Sequence, residues 1–146
     1  VVQFSRVWKE ARSLHSLILD GDIQELVGRL KISLEGYWER HISLGRESKP
    51  RKKSVGQSLL DRIIINVVAP IRFAYGHKMA EQRYKDSALY LLESTGPEHN
   101  RIMRNWKELG VGVDTAMDSQ ALLQLKSRWC EKKKCLQCPI GIKILR

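Results

Sequence analysis

Apolar side chains crowd into one stretch, Ser58 to Tyr75, which reads SLLDRIIINVVAPIRFAY. Leu59, Leu60, Ile63, Ile64, Ile65, Val67, Val68, Ile71, Phe73 and Tyr75 leave it almost no polar face. A helix apolar all round is buried in protein or in lipid. Asp61, Arg62, Asn66 and Arg72 interrupt the run, whereas a membrane span needs about 20 nearly unbroken apolar residues, so protein is the expected surrounding. The run is too long for a usual strand of roughly 4–8 residues, which predicts a helix. Ser58, three residues before Asp61, predicts its N-terminal cap. Pro70 has no N–H to offer the Asn66 carbonyl. A mid-helix proline costs about 3 kcal/mol, which predicts a kink, with Asn66 either folding back on the freed backbone or bonding a neighbouring helix.

Helical spacing recurs on both sides of this spine. Phe4, Val7, Trp8, Ala11, Leu14, Leu17 and Ile18 form one apolar stripe. Asp20-Gly21-Asp22 stops that helix, and Asp22 caps a second one buried through Ile23, Leu26, Val27 and Leu30. Residues 35–45 place Tyr37, Trp38, His41 and Leu44 on one helical face. Tyr75-Gly76-His77 ends or bends the spine. Residues 80–93 form a helix with Tyr84, Ala88, Leu91 and Leu92 inward. Pro97 suits the first position of the next helix, whose core side is Ile102, Met103, Trp106 and Leu109; Arg101, Arg104 and Lys107 lie outside and Gly110 is the C-cap. Asp118 or Ser119 caps the last long helix, with Ala121, Leu122, Leu125 and Trp129 inward, and the apolar tail from Pro139 packs back. The pattern predicts an all-α, single-domain bundle of six or seven helices spanning 1–146, built around residues 58–75.

Charge adds a candidate partner. With 26 Lys and Arg against 16 Asp and Glu, the formal net charge is +10, which favours an anionic partner, most simply nucleic acid. Lys49, Arg51, Lys52 and Lys53 lie in a basic loop, and Lys132, Lys133 and Lys134 form a second cluster; both are candidate phosphate contacts. Gly110, Val111, Gly112, Thr115 and Ala116 resemble the glycine turn of helix-hairpin-helix DNA-binding motifs, alongside the plainer reading of a glycine C-cap and loop. Cys130, Cys135 and Cys138 have the spacing C-x4-C-x2-C, compatible with zinc or an iron–sulfur cluster, with a redox pair at Cys135 and Cys138, or with reduced structural thiols. A structural zinc site wants a fourth ligand, which His15, His41, His77, His99 or another chain would supply.

Complete catalytic motifs are missing: no G-x-x-x-x-G-K-[ST], no H-E-x-x-H and no G-x-S-x-G. The sequence shows no signal peptide and no membrane span, so cytoplasm is the default location. The start at Val1, directly in a helical pattern, suggests the C-terminal part of a longer protein. Leu60-Asp61 through Asn66, Pro70, Phe73 to Gly76, Trp106 to Gly110, Asp118 to Leu122 and the Cys130/Cys135/Cys138 tail together resemble a bacterial family known as domain of unknown function 2851. The Tyr37-Trp38 and His41 stretch fits it too, and the resemblance is most specific over residues 58–76 and 106–141. It implies the C-terminal region of a cytosolic protein and no established activity. Three expectations follow. The first is a non-catalytic basic nucleic-acid-binding or accessory module with a cysteine-bound metal. The second is a structural or protein-interaction domain whose charge serves solubility. The third is part of an enzyme, either with its catalytic part N-terminal or with Glu39, His41 and Asn66 in one cleft.

Overall fold

The computed structural model describes residues 11–31, 33–34, 36–50 and 53–145. The chain divides into two compact units, Val1–Ala88 and Leu89–Arg146. The all-α class holds, and no helix among the described residues is long and apolar enough to cross a membrane.

The first unit opens with α1 (Ala11–Asp20) and α2 (Ile23–Leu30). The break between them falls at the expected Asp20-Gly21-Asp22. Asp22 Oδ1 accepts the N–H groups of Gln24 at 2.6 Å and Glu25 at 3.2 Å, so the first free amides of α2 are satisfied. Leu17, Leu19 and Leu26 are buried; Phe4, Val7 and Trp8 lie outside the described residues.

Two antiparallel pairings follow that periodicity did not predict. β1 (Ser33–Leu34) precedes a single helical turn, α3 (Tyr37–Arg40); β2 (His41–Ser43), β3 (Arg46–Glu47) and β4 (Lys53–Ser54) come next. β1 pairs with β4, and β2 with β3. The helix expected over 35–45 therefore ends at Arg40, where His41 turns to extended backbone at φ −129° and ψ 135°. Gly45 supplies the left-handed residue of the β2–β3 turn at φ +73°. Its N–H donates to the Tyr37 hydroxyl at 2.8 Å, which ties the turn to α3. Leu44, expected inside, is 84% exposed.

The spine consists of three consecutive pieces: α4 (Gln57–Ile63), a π-helical turn at Ile64–Val68, and α5 (Ala69–Lys78). Gly56, not Ser58, is the N-cap, and Asp61 instead accepts from the Gln57 side-chain amide at 2.8 Å. Pro70 sits in the first turn of α5. The register changes immediately before it: the Ala69 N–H donates to the Ile64 carbonyl, five residues back. A π turn thus directly precedes the proline. Asn66 does fold back, its amide donating to the Arg62 carbonyl at 2.9 Å.

Leu60, Ile64, Val68, Arg72 and Gly76, one residue in every four, are all buried. On an α-helix of 3.6 residues per turn, a four-residue spacing drifts by about 40° per step. The π turn spreads more residues over one turn and takes up part of that drift, which keeps the row on one side. The expectation of burial on most sides is corrected here, because Leu59, Val67, Ile71 and Phe73 are each between 41% and 50% exposed.

Arg72 holds the end of α1. Its Nε donates to the Ile18 carbonyl at 2.6 Å, and Nη2 donates to the Gly21 carbonyl at 2.8 Å and the Leu17 carbonyl at 3.4 Å. Nη1 donates to Ser87 Oγ at 2.7 Å. The last carbonyls of a helix have no partners of their own and carry the negative end of its dipole, so a cation suits them. Burial lowers the Arg72 pKa below its ordinary value, against the opposing pull of Asp20 and Asp22. Near this junction α6 (Gln82–Ser94) begins, and its Tyr84 hydroxyl donates to Asp20 Oδ1 at 2.8 Å. α5 runs through Gly76 instead of ending there, and the chain turns at Met79 and Ala80.

In the second unit, α7 (Arg101–Glu108) starts at Asn100, whose Oδ1 accepts the Met103 N–H at 2.9 Å, so Pro97 precedes the helix by several residues. Gly110, at φ +80°, ends it as expected. α8 (Ala116–Leu125) is capped by Thr115, with Asp118 three residues on completing a capping box. Met103, Val113, Ala116 and Ser119 form the deepest part of this unit, while Ala121 and Leu109, expected inward, are exposed. A second π turn (Lys126–Cys130), a 3₁₀ turn (Cys135–Gln137) and α9 (Pro139–Leu145) finish the chain.

Replacing Arg72 by Met should lower the unfolding free energy by at least about 3 kcal/mol, because it strips partners from several helix-end carbonyls. Arg72→Lys should fall between wild type and Arg72→Met, since one ammonium cannot reproduce the fork. Urea unfolding followed by circular dichroism measures both, and a loss under about 1 kcal/mol for Met would contradict this role. Gly76→Ala gains about 1 kcal/mol in helix propensity. Its Cβ would nevertheless lie 2.8 Å from both the Glu81 carbonyl oxygen and Tyr84 Cβ, so a lower melting temperature is expected.

Candidate nucleic-acid interface

The basic loop expected to grip phosphate is partly tied into the small pairings. The Ser48 N–H donates to the Arg40 carbonyl at 2.7 Å, and Lys53 lies opposite Leu34 in the β1–β4 pair. Lys49 is exposed, whereas Arg51 and Lys52 lie outside the described residues. Lys132, Lys133 and Lys134 are all exposed in the turn after the second π turn. That turn is closed by Lys133 N–H to the Cys130 carbonyl at 3.0 Å and Lys134 N–H to the Trp129 carbonyl at 3.0 Å.

The three thiols differ in their access to solvent. Cys130 and Cys135 are exposed, Cys138 is buried, and no group of three or more His, Cys, Asp or Glu side chains among the described residues is placed to hold a metal ion. Cys130 ends the π turn while Cys135 and Cys138 bracket the 3₁₀ turn. His41 has other neighbours: its ring stacks on Tyr37 with centroids 3.7 Å apart, and its Nδ1 lies 2.8 Å from the Tyr37 carbonyl oxygen. Its Nε2 lies 3.9 Å from Glu47 Oε1. Asn66 is turned onto its own helix.

The glycine segment 110–116 is a C-cap and an N-cap in succession. Asp118 Oδ2 accepts the Asp114 N–H at 3.1 Å, the Thr115 N–H at 2.9 Å and the Thr115 hydroxyl at 2.9 Å. A phosphate-binding hairpin needs such amides open to its ligand, and here an internal carboxylate occupies two of them. Those hydrogen bonds, from the Thr115 side chain first and then the two backbone amides, hold the Asp118 pKa below the usual carboxylate range.

The more open candidate lies on α7. A groove of about 740 Å³ is lined by Glu98, His99, Asn100, Arg101, Met103, Arg104, Lys107 and Glu108. Arg101, Arg104 and Lys107 recur every three residues and are exposed. None of the three takes part in an ion pair or a side-chain hydrogen bond among the described residues. Glu98, by contrast, is engaged: its N–H donates to Ser119 Oγ at 3.0 Å, and its carboxylate accepts from the Asn100 side-chain amide at 3.3 Å. Sequence reasoning placed these cations on the outer face but did not single them out as a site. The available signal was the basic i, i+3, i+6 row itself, in which Arg101 has no acid three or four residues on inside the helix and Arg104 has Glu108 four residues on.

A protein-family model described as "Protein of unknown function (DUF2851)" matches residues 1–101. The 58–76 stretch lies within the matched residues and the 106–141 stretch beyond them. No curated protein and no solved structure matches the chain.

Because ionised Asp118 has a lowered folded-state pKa, its stabilisation is complete above the usual carboxylate range and is lost as pH falls through the folded-state value. Asp118→Asn should therefore melt below wild type near neutral pH, with the gap closing in strong acid. Thermal melts from about pH 7 to about pH 2 check this, and a gap independent of pH would count against the capping carboxylate.

Proposed function

The chain belongs to the family of proteins of unknown function DUF2851, and from that premise we propose a non-catalytic, basic nucleic-acid-binding module. The supporting observation is the exposed row Arg101, Arg104 and Lys107 along the groove on α7, which forms no ion pair among the described residues although Glu98 and Glu108 line the same groove. Six residues of α-helix rise about 9 Å. One DNA strand carries a phosphate per about 3.4 Å of duplex axis, so a row of that length matches roughly three phosphates. Each cation that meets a phosphate releases condensed counterions, which makes the association entropic, sequence-tolerant and sensitive to salt. The net charge of +10 adds long-range attraction. In this reading Lys49, Arg51, Lys52, Lys53, Lys132, Lys133 and Lys134 are auxiliary phosphate contacts.

A second reading, a protein-interaction domain, is favoured by the exposed side chains of Leu59, Val67 and Ile71. With Ile63 they form another four-spaced row, one residue out of step with the buried one.

Fluorescence anisotropy with a labelled duplex and a labelled single strand tests the first reading. Binding should be strong at low salt and fall steeply as salt rises. Reversing all three charges, R101E, R104E and K107E, should reduce the log–log salt slope by about two to three. Absence of binding at low ionic strength, or an unchanged slope in the triple variant, would reject the proposal and leave the protein-interaction reading.

A further inference from the structure

Cys135 and Cys138 sit at the two ends of one 3₁₀ turn. The turn spans Cys135–Gln137, and the Cys138 N–H closes it on the Cys135 carbonyl at 3.2 Å. Three residues of 3₁₀ helix complete one turn and rise about 6 Å, so the first and fourth Cα atoms stack one above the other. That separation lies inside the window of roughly 4.4–6.8 Å that a disulfide requires. The turn is held from its far side as well. Gly141 of α9 rests against the Cys135 backbone so closely that any Cβ at Gly141 would collide with the Cys135 carbonyl. The Ile142 N–H also donates to the Cys138 carbonyl at 2.8 Å.

The two thiols differ in access. Cys135 is exposed, and Cys138 is 6% exposed. Both are free thiols in this structure. A reagent from solution therefore meets Cys135 first, while Cys138 is reached from within the turn. Three exposed lysines, Lys132 to Lys134, directly precede Cys135 and favour an anionic reagent.

We propose that Cys135 and Cys138 form a thiol–disulfide exchange site, with Cys135 as the attacking thiol and Cys138 as the resolving thiol, and with a low-molecular-weight anionic disulfide as co-reactant. The inference is independent of the nucleic-acid reading. In the first step Cys135, having lost its proton to water, attacks one sulfur of the disulfide as the thiolate; the external S–S bond breaks, a mixed disulfide forms and one thiolate leaves, taking a proton from water. In the second step Cys138, having lost its proton to water, attacks the Cys135 sulfur; the mixed disulfide breaks and the second thiolate leaves, also taking a proton from water. Two protein thiols are oxidised to one internal disulfide, and one external disulfide is reduced to two thiols. Cys130 takes no part.

The reduced 146-residue chain is incubated with glutathione disulfide, quenched with iodoacetamide and analysed by intact mass and peptide mapping. The expected product has lost two hydrogens, carries no glutathione, links Cys135 to Cys138 and retains alkylated Cys130. Cys138→Ser should stop at the mixed disulfide, with one glutathione on Cys135. Cys135→Ser should react at least about tenfold more slowly than wild type, because the remaining member of the pair is buried. A stable glutathione adduct on wild-type Cys135, preferential reaction at Cys130, or a Cys135→Ser rate equal to wild type would each overturn the proposal.

Discussion

The guanidinium of Arg72 is the joint on which the first unit depends. A helix ends with carbonyls that its own backbone cannot satisfy. At the end of α1 the carbonyls of Ile18 and of Gly21, just past the helix, accept from one side chain carried on α5, which also reaches the Leu17 carbonyl that already accepts the Gly21 N–H. The same group reaches Ser87 on α6. Three elements separated in sequence thus share a single planar, permanently charged donor. A charge so enclosed is costly unless its protons are all directed at acceptors, and here the fork has an acceptor for each nitrogen. The Tyr84–Asp20 hydrogen bond and the close seat of Gly76 against Tyr84 join the same elements.

Much of this architecture is legible in the sequence where a residue type has a local job. Asp22 caps, Gly110 uncoils, and Tyr84, Ala88 and Leu91 face inward as their spacing implies. Local jobs are also where reading fails if two residues compete. Ser58 lost the cap to Gly56, and Asp118 proved to be the third residue of a capping box headed by Thr115. Strands of two or three residues are too short to show alternation, so the β1–β4 and β2–β3 pairs left no periodic trace. Arg72 itself looked like an interruption of an apolar run, because its partners are carbonyls and carbonyls are the same in every sequence.

The candidate interface was legible only as composition. An excess of cations says that an anion is welcome without saying where. The loop clusters drew attention because consecutive lysines are conspicuous, whereas a row at every third position appears only after the helix is drawn. The cysteines illustrate the converse. Their spacing is compatible with a chelate, and spacing alone did not say that Cys130 would end a π turn while Cys135 and Cys138 bracket a single 3₁₀ turn.

The π turn at Ile64–Val68 has an implication for descent. A single-residue insertion into an α-helix produces such a turn, and losing that residue again would restore a plain helix while rotating everything after it by about 100°. Arg72 would then swing away from the end of α1. Homologous chains should therefore keep their length unchanged between Leu60 and Arg72 even where the side chains diverge, and an alignment gap placed there would mark a protein that closes its first unit by some other bond.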